Sequence, residues 1–214
     1  MNDETKAPAP VLDPEALAEI SKRGVPRLFR ERTVLVTEGE KTNALYIIVE
    51  GRVRAYVSDA NGREAVLSVM GPGEYFGEVA FDDGPRSASV ITLEPCQLIV
   101  VPRAELEDFL DENPAFRSHF INKLIQRIRT LTQNVRSLAL MDAYGRVARL
   151  LLESSVTKDG EQYVPERLTQ ADIASRVGCS REMVSRIFKD LVQGNYISVE
   201  PERILINRKP PAHW

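Results

Sequence analysis

Histidine and cysteine are scarce in this chain, with two of each in 214 residues. The histidines are His119 and His213. None lies in residues 1 to 118, so a strand-rich front half lacks the two or three imidazoles that a cupin-type metal enzyme needs beside its carboxylate. Cys96 and Cys179 stand far apart, which excludes a disulfide framework and any cysteine cluster for zinc or iron–sulfur within the chain. Both are expected to be small, partly buried side chains. Nucleophile elbow, Walker loop and His-Glu-x-x-His pair are missing as well, so no catalytic machinery is visible and an enzyme is not expected. No apolar run approaches the length of a membrane span, and the start Met1-Asn2-Asp3-Glu4 has neither the basic nor the apolar region of a signal peptide. A cytoplasmic location with no membrane contact is the expectation.

What is present fits two ordinary globular domains: 43% of residues are hydrophobic and 28% charged. The net charge of −3 is unevenly divided, with −5 in residues 1 to 142 and +2 in residues 143 to 214. A mildly basic back end on an acidic body fits a small DNA-contacting surface.

The run from Leu168 to Ile187 places its residues as a helix-turn-helix requires. Thr169 is positioned to cap a first helix, with Asp172 three residues on as the partner of a capping box. Ala174 allows a second helix to approach closely. Gly178 supplies the left-handed turn, and Ser180 caps the next helix. In that helix Val184, Ile187 and Leu191 form a buried stripe, while Arg181, Glu182, Ser185 and Arg186 share another face. Arg can fork onto guanine O6 and N7, and Glu can accept from cytosine N4, so this face is suited to reading base edges in the major groove. Thr169, Gln170, Ser180 and Lys189 complete the expected DNA-binding set. The runs Tyr196–Val199 and Arg203–Ile206, split by Glu200-Pro201-Glu202, read as the wing of a winged helix.

At the front, a Pro-rich tail and a short helix near Pro14–Ile20 precede a strand pattern from Phe29 onward. Short apolar stretches punctuated by Gly and Pro, with Asn61-Gly62 as a tight hairpin turn, indicate a small antiparallel roll. One segment does not read as a strand. In Gly73 to Ser89, Gly77 would let backbone amides approach an anion, a helical turn after it would aim its positive end there, and Arg86 with Ser87 would add charge-assisted hydrogen bonds. Glu78 would accept from a ribose hydroxyl.

Between the two halves, a helix is expected from about Pro114 to Met141, with Asn113 as its cap. Ile121, Leu124, Ile128, Leu131, Val135 and Leu138 are spaced alternately three and four apart, a heptad seam that predicts pairing with a second copy. Phe116 and Phe120 are left to pack on the roll. His119 reads as a solvated residue of this helix rather than a ligand.

Phe76-Gly77-Glu78 and Arg86-Ser87-Ala88, the long helix, and Cys179-Ser180-Arg181-Glu182-Met183-Val184-Ser185-Arg186 together resemble the catabolite activator protein and FNR superfamily from about Leu28 to Ile206. The resemblance implies an α+β fold with a flexible tail and short helix (1–27), a cyclic-nucleotide-binding antiparallel β-roll (28–112), a dimerisation helix (113–141) and a winged helix-turn-helix (142–214). It implies an allosteric cyclic nucleotide held by Gly77, Glu78, Val79, Ala80, Arg86, Ser87 and Ala88, with the base facing Leu131 and Thr132. The partners implied are a pseudo-palindromic TGTGA-type duplex, a second subunit and RNA polymerase. Where the activator branch has two polar base contacts, only Thr132 keeps a hydroxyl; Leu131 is apolar. Cyclic AMP, cyclic GMP and a cyclic dinucleotide such as cyclic di-GMP therefore all stay open as ligands, as does a constitutive regulator whose vestigial pocket serves only dimerisation. The iron–sulfur route to oxygen sensing is excluded, because no cysteine precedes Cys96.

Overall fold

The computed structural model describes residues 14–78, 84–165 and 168–211. The chain forms two compact units divided between Arg129 and Thr130. Val79 and Ala80, and the helical turn expected after Gly77, fall outside the described residues, as does His213.

The first unit begins with α1 (Pro14–Ser21) and continues through β1 (Val25–Phe29), β2 (Val34–Val36), β3 (Ala44–Glu50), β4 (Val53–Ser58), β5 (Glu64–Met70), β6 (Tyr75–Phe76), β7 (Ser89–Thr92) and β8 (Cys96–Pro102). Strand structure starts four residues earlier than the sequence pattern suggests, because the exposed Val25 to Leu28 pair with β8 as an edge strand. Two antiparallel four-stranded sheets result, ordered β1-β8-β3-β6 and β2-β7-β4-β5. At the β4–β5 turn, Gly62 takes a positive φ of 75°. There Asp59 Oδ1 accepts from the Asn61 and Arg63 amides, each at 2.9 Å, closing the expected hairpin.

Val36, Ile48, Val53, Ala55, Phe76, Val90 and Leu98 fill the interior of the roll. A second cluster packs helices on the outside of the first sheet. Its members include Ile20 from α1, Leu45 and Ile47, Leu106 and Phe109 from α2 (Arg103–Glu112), and Phe116 and Phe120 from α3 (Pro114–Leu140). Sequence reading passed over α2, a short helix whose apolar side chains are few. His119 corrects the expectation of a solvated residue: its ring lies 6.2 Å from Tyr75 and 6.3 Å from Phe116, and Nε2 is buried. Burial, with the Lys123 charge, holds its pKa below the usual imidazole value.

The heptad seam of α3 is exposed in the single chain. Ile121 is 50% exposed, Ile128 63%, Val135 65% and Leu138 57%. Phe116 and Phe120 supply the contact with the roll that the seam does not.

The second unit holds the end of α3, then α4 (Ala143–Glu153), β9 (Val156–Lys158), β10 (Glu161–Val164), α5 (Gln170–Val177), α6 (Arg181–Gln193), β11 (Ile197–Val199) and β12 (Ile204–Ile206). The wing is larger than expected, since β9 and β10 join it in one sheet ordered β11-β12-β10-β9. Its core draws Val147 and Leu151 from α4, Ile173 and Val177 from α5, and Val184, Ile187 and Leu191 from α6. Among the described residues, no helix is long and apolar enough to cross a membrane.

Candidate ligand pocket and nucleic-acid interface

A pocket opens in the roll, lined by the apolar side chains of Val36, Ala55, Met70, Phe76, Ala88 and Val90. Gly77, Glu78, Arg86, Ser87 and Arg127 complete the lining. The backbone explains Gly77. Its φ is +97°, and a Cβ there would meet the Ala44 carbonyl oxygen at 2.6 Å and Arg86 Nη1 at 3.0 Å.

Arg86 is 4% exposed. Its Nε donates to Thr42 Oγ1 at 2.6 Å, Nη1 to the Gly77 carbonyl at 2.7 Å and Nη2 to the Ala44 carbonyl at 2.7 Å. Burial pulls its pKa below the usual guanidinium value, while Tyr46 and Glu78 act the other way. Glu78 is equally enclosed, its side chain 7% exposed. Oε1 accepts from Arg127 Nη1, and Oε2 is buried with no hydrogen-bond partner among the described residues. A buried carboxylate oxygen left without a donor is costly, so it marks where a hydroxyl-bearing ligand would be stabilised.

Sequence reasoning missed Thr42, Arg127 and Lys123. Lys123 lies 3.4 Å from the Tyr75 ring centroid and donates to the Tyr75 carbonyl at 3.0 Å. Burial takes its pKa down to about 8, against the opposing pull of Glu74 and Glu78. Lys123 and Arg127 are one helical turn apart on α3, a basic pair off the heptad seam that could have signalled an acidic neighbour. Leu131 and Thr132 are exposed positions of α3 in the second unit and are not among the residues lining this cavity.

In the second unit the capping box of α5 is complete, with the Asp172 amide donating to Thr169 Oγ1 at 3.1 Å and the Thr169 amide to Asp172 Oδ2 at 3.0 Å. Gly178 follows with φ 68° and ψ 51°. Ser180 Oγ accepts from the Met183 amide at 3.2 Å, which starts α6. Thr169, Ser180, Arg181, Glu182, Ser185, Arg186 and Lys189 are exposed, and Gln170 is half-buried. Arg181, Glu182, Ser185 and Arg186 thus form a solvent-facing surface opposite the buried Val184, Ile187 and Leu191. Its own amide and the Ser180 hydroxyl hold the Glu182 carboxyl below the usual range, keeping it an ionised acceptor. Arg146 on α4 secures this unit, with Nε donating to the Val177 carbonyl at 2.7 Å, Nη1 to Met141 at 2.8 Å and Nη2 to Gly178 at 3.3 Å.

Comparison with known proteins agrees with both halves. Residues 26–113 match the cyclic nucleotide-binding domain family, and residues 145–210 match the Crp-like helix-turn-helix domain family. A CRP-like cAMP-activated global transcriptional regulator of Mycobacterium tuberculosis is 32% identical over 201 residues, covering 92% of this chain and 90% of that protein. The cAMP-activated global transcriptional regulator CRP of Pasteurella multocida is 31% identical, covering 83% of this chain and 88% of that protein. Among solved structures, the c-di-GMP responsive global regulator CLP of Xanthomonas campestris shares the fold with a TM-score of 0.80 at 22% identity, over 92% of this chain and 100% of that one. A CooA mutant from Carboxydothermus hydrogenoformans does so with a TM-score of 0.81 at 19% identity, over 94% of each chain. These relatives are regulators and not enzymes, and the chain belongs to the catabolite activator protein and FNR superfamily of ligand-regulated, DNA-binding transcriptional regulators.

Proposed function

We propose that this protein is a homodimeric transcriptional regulator gated by a cyclic mononucleotide bound in the roll, and that it reads a TGTGA-like palindrome. The observation that carries the ligand is the pairing, in one cavity, of a buried guanidinium with a buried carboxylate oxygen that has no donor among the described residues. Arg86 and Ser87 would hold the phosphate, and Glu78 would accept from the ribose hydroxyl. The relatives from Mycobacterium tuberculosis and Pasteurella multocida are cAMP-activated, which favours a single nucleotide over a dinucleotide. With Leu131 where a polar group would contact the base, selectivity for adenine is expected to be relaxed.

The exposed seam of α3 supports a parallel helix pair as the dimer interface. A two-fold dimer would present two copies of α6 to successive major grooves about 34 Å apart. Ligand binding would shift the population toward the arrangement that fits DNA. RNA polymerase is the expected protein partner, and the cytoplasm the expected compartment.

The test is calorimetric titration with cyclic AMP, cyclic GMP and cyclic di-GMP, coupled to anisotropy on a TGTGA-N6-TCACA duplex. Saturable binding of one mononucleotide that also raises affinity for this duplex is the expected result. Tight DNA binding without nucleotide response would overturn ligand gating and leave a constitutive regulator.

A further inference from the structure

The chain from Gly39 to Ala44 wraps Arg86. The Gly39 amide donates to the Arg86 carbonyl and the Arg86 amide to the Glu40 carbonyl, both at 2.9 Å, so the backbone of this loop and that of Arg86 are zipped together. The Ala44 carbonyl takes one Arg86 Nη2 proton. Among the described residues, the side-chain hydrogen bond from this loop to the guanidinium is that of the Thr42 hydroxyl, accepting from Nε at 2.6 Å.

The character of these acceptors matters. Thr42 Oγ1 and the Gly77 and Ala44 carbonyls are all neutral. Among the described residues no carboxylate forms an ion pair with Arg86, whereas the nearby Glu78 is paired with Arg127. Arg86 is thus oriented on three of its five N–H groups with no opposite charge at any of them, and its positive charge is left for an anion. A guanidinium held by a carboxylate would be just as well oriented but electrostatically quenched.

We propose that Thr42 is a positioning residue: its neutral hydroxyl aims the Arg86 guanidinium at the ligand phosphate without neutralising it. This rests on the reading of the cavity as a cyclic-nucleotide site and assigns that site an orienting group on a different loop. Because the backbone bonds at Gly39 and Glu40 do not involve the Thr42 side chain, replacing it should loosen the guanidinium and leave the loop in place.

The experiment titrates the full-length protein and its Thr42→Val, Thr42→Ser, Thr42→Asp and Arg86→Lys variants with cyclic AMP and with its Sp and Rp phosphorothioates, which differ only in which phosphate oxygen is sulfur. Circular dichroism melting follows the fold of each. Thr42→Val should lose about tenfold in affinity and lose much of the discrimination between the two phosphorothioates, which a purely structural role would not touch. Thr42→Ser should restore both. Thr42→Asp keeps an acceptor for Nε and should melt near the parent while binding more weakly than Thr42→Val. Parent-like affinity and discrimination in Thr42→Val, or parent-like binding by Thr42→Asp, would overturn the role of Thr42 while the site stands. Undiminished binding by Arg86→Lys, or binding of neither cyclic AMP nor cyclic GMP by the parent, would instead remove the site itself and the proposal with it.

Discussion

Arg127 of α3 donates to Glu78 Oε1, while the second oxygen of the same carboxylate is buried without a donor among the described residues. The carboxylate is therefore charge-compensated but only half-satisfied by hydrogen bonds. One partner comes from the long helix, and Glu78 itself lines the cavity.

Removing either member of this pair should have a distinct outcome. Glu78→Gln is expected to weaken cyclic AMP binding by about 1–3 kcal/mol, because an ionised acceptor becomes a neutral one. Arg127→Met leaves a buried carboxylate unpaired and should lower folding stability by a similar amount. Calorimetry and urea unfolding measure the two, and a Glu78→Gln protein that binds like its parent would exclude the ribose role.

On α6, Arg181→Ala and Arg186→Ala are each expected to cost about 1–3 kcal/mol at the specific duplex and to relax preference at one base pair. Glu182→Ala should mainly broaden preference. Equal losses on specific and random DNA would show that these side chains contact phosphates.

Arg146 joins three carbonyls from two segments, Met141 after α3 and Val177 with Gly178 at the turn before α6. Arg146→Ala leaves those acceptors to find other donors and should destabilise the second unit by about 1–3 kcal/mol. Arg146→Lys, with a single ammonium in place of a planar fork, should recover only part of it. Chemical unfolding with a full recovery in Arg146→Lys would show that charge alone matters there.

The seam of α3 gives a test of assembly. Ile128→Glu with Val135→Glu places charge at positions 63% and 65% exposed in the single chain. The single-chain fold should survive, since neither side chain is buried, and the dimer should dissociate. Sedimentation equilibrium distinguishes the two, and an unchanged assembly state would place the interface elsewhere.

Lys123 makes a pH prediction. Its pKa is about 8 in the folded chain, against an ordinary lysine value of 10.5. Between these values the unfolded chain holds a proton that the folded chain has released, so its contribution to stability rises with pH across this window. Below it both states are protonated and the cost of burying the ammonium is fully present. His119, Glu74, Glu78 and Arg127 share this surrounding, so the comparison is with Lys123→Met, whose unfolding free energy should lack that rise. Parallel curves would exclude the titration.

The helix-turn-helix was legible because its signals are local. Thr169, Asp172, Gly178 and Ser180 act on backbone within a few residues, and Val184, Ile187 and Leu191 follow helical spacing. The seam of α3 was legible for the same reason. Turn glycines likewise marked most strands of the roll. By contrast α2, α4 and the β9–β10 pair were passed over, although two of them carry local signals: Asp142 caps α4 by accepting from the Gly145 amide, and Asp159-Gly160 closes the β9–β10 hairpin.

The sequence by itself determined the two-part architecture, the exposed polar face of α6 and the presence of Gly77, Glu78, Arg86 and Ser87 at one pocket, all of which rest on short-range spacing and on motif. Tertiary structure decided how that cassette is held. Thr42 meets Arg86 across 44 positions and Arg127 meets Glu78 across 49. No periodicity encodes such pairs: they exist because two sheets and a helix bring distant segments to one cavity, where a buried charge is tolerated only beside the partners that folding supplies.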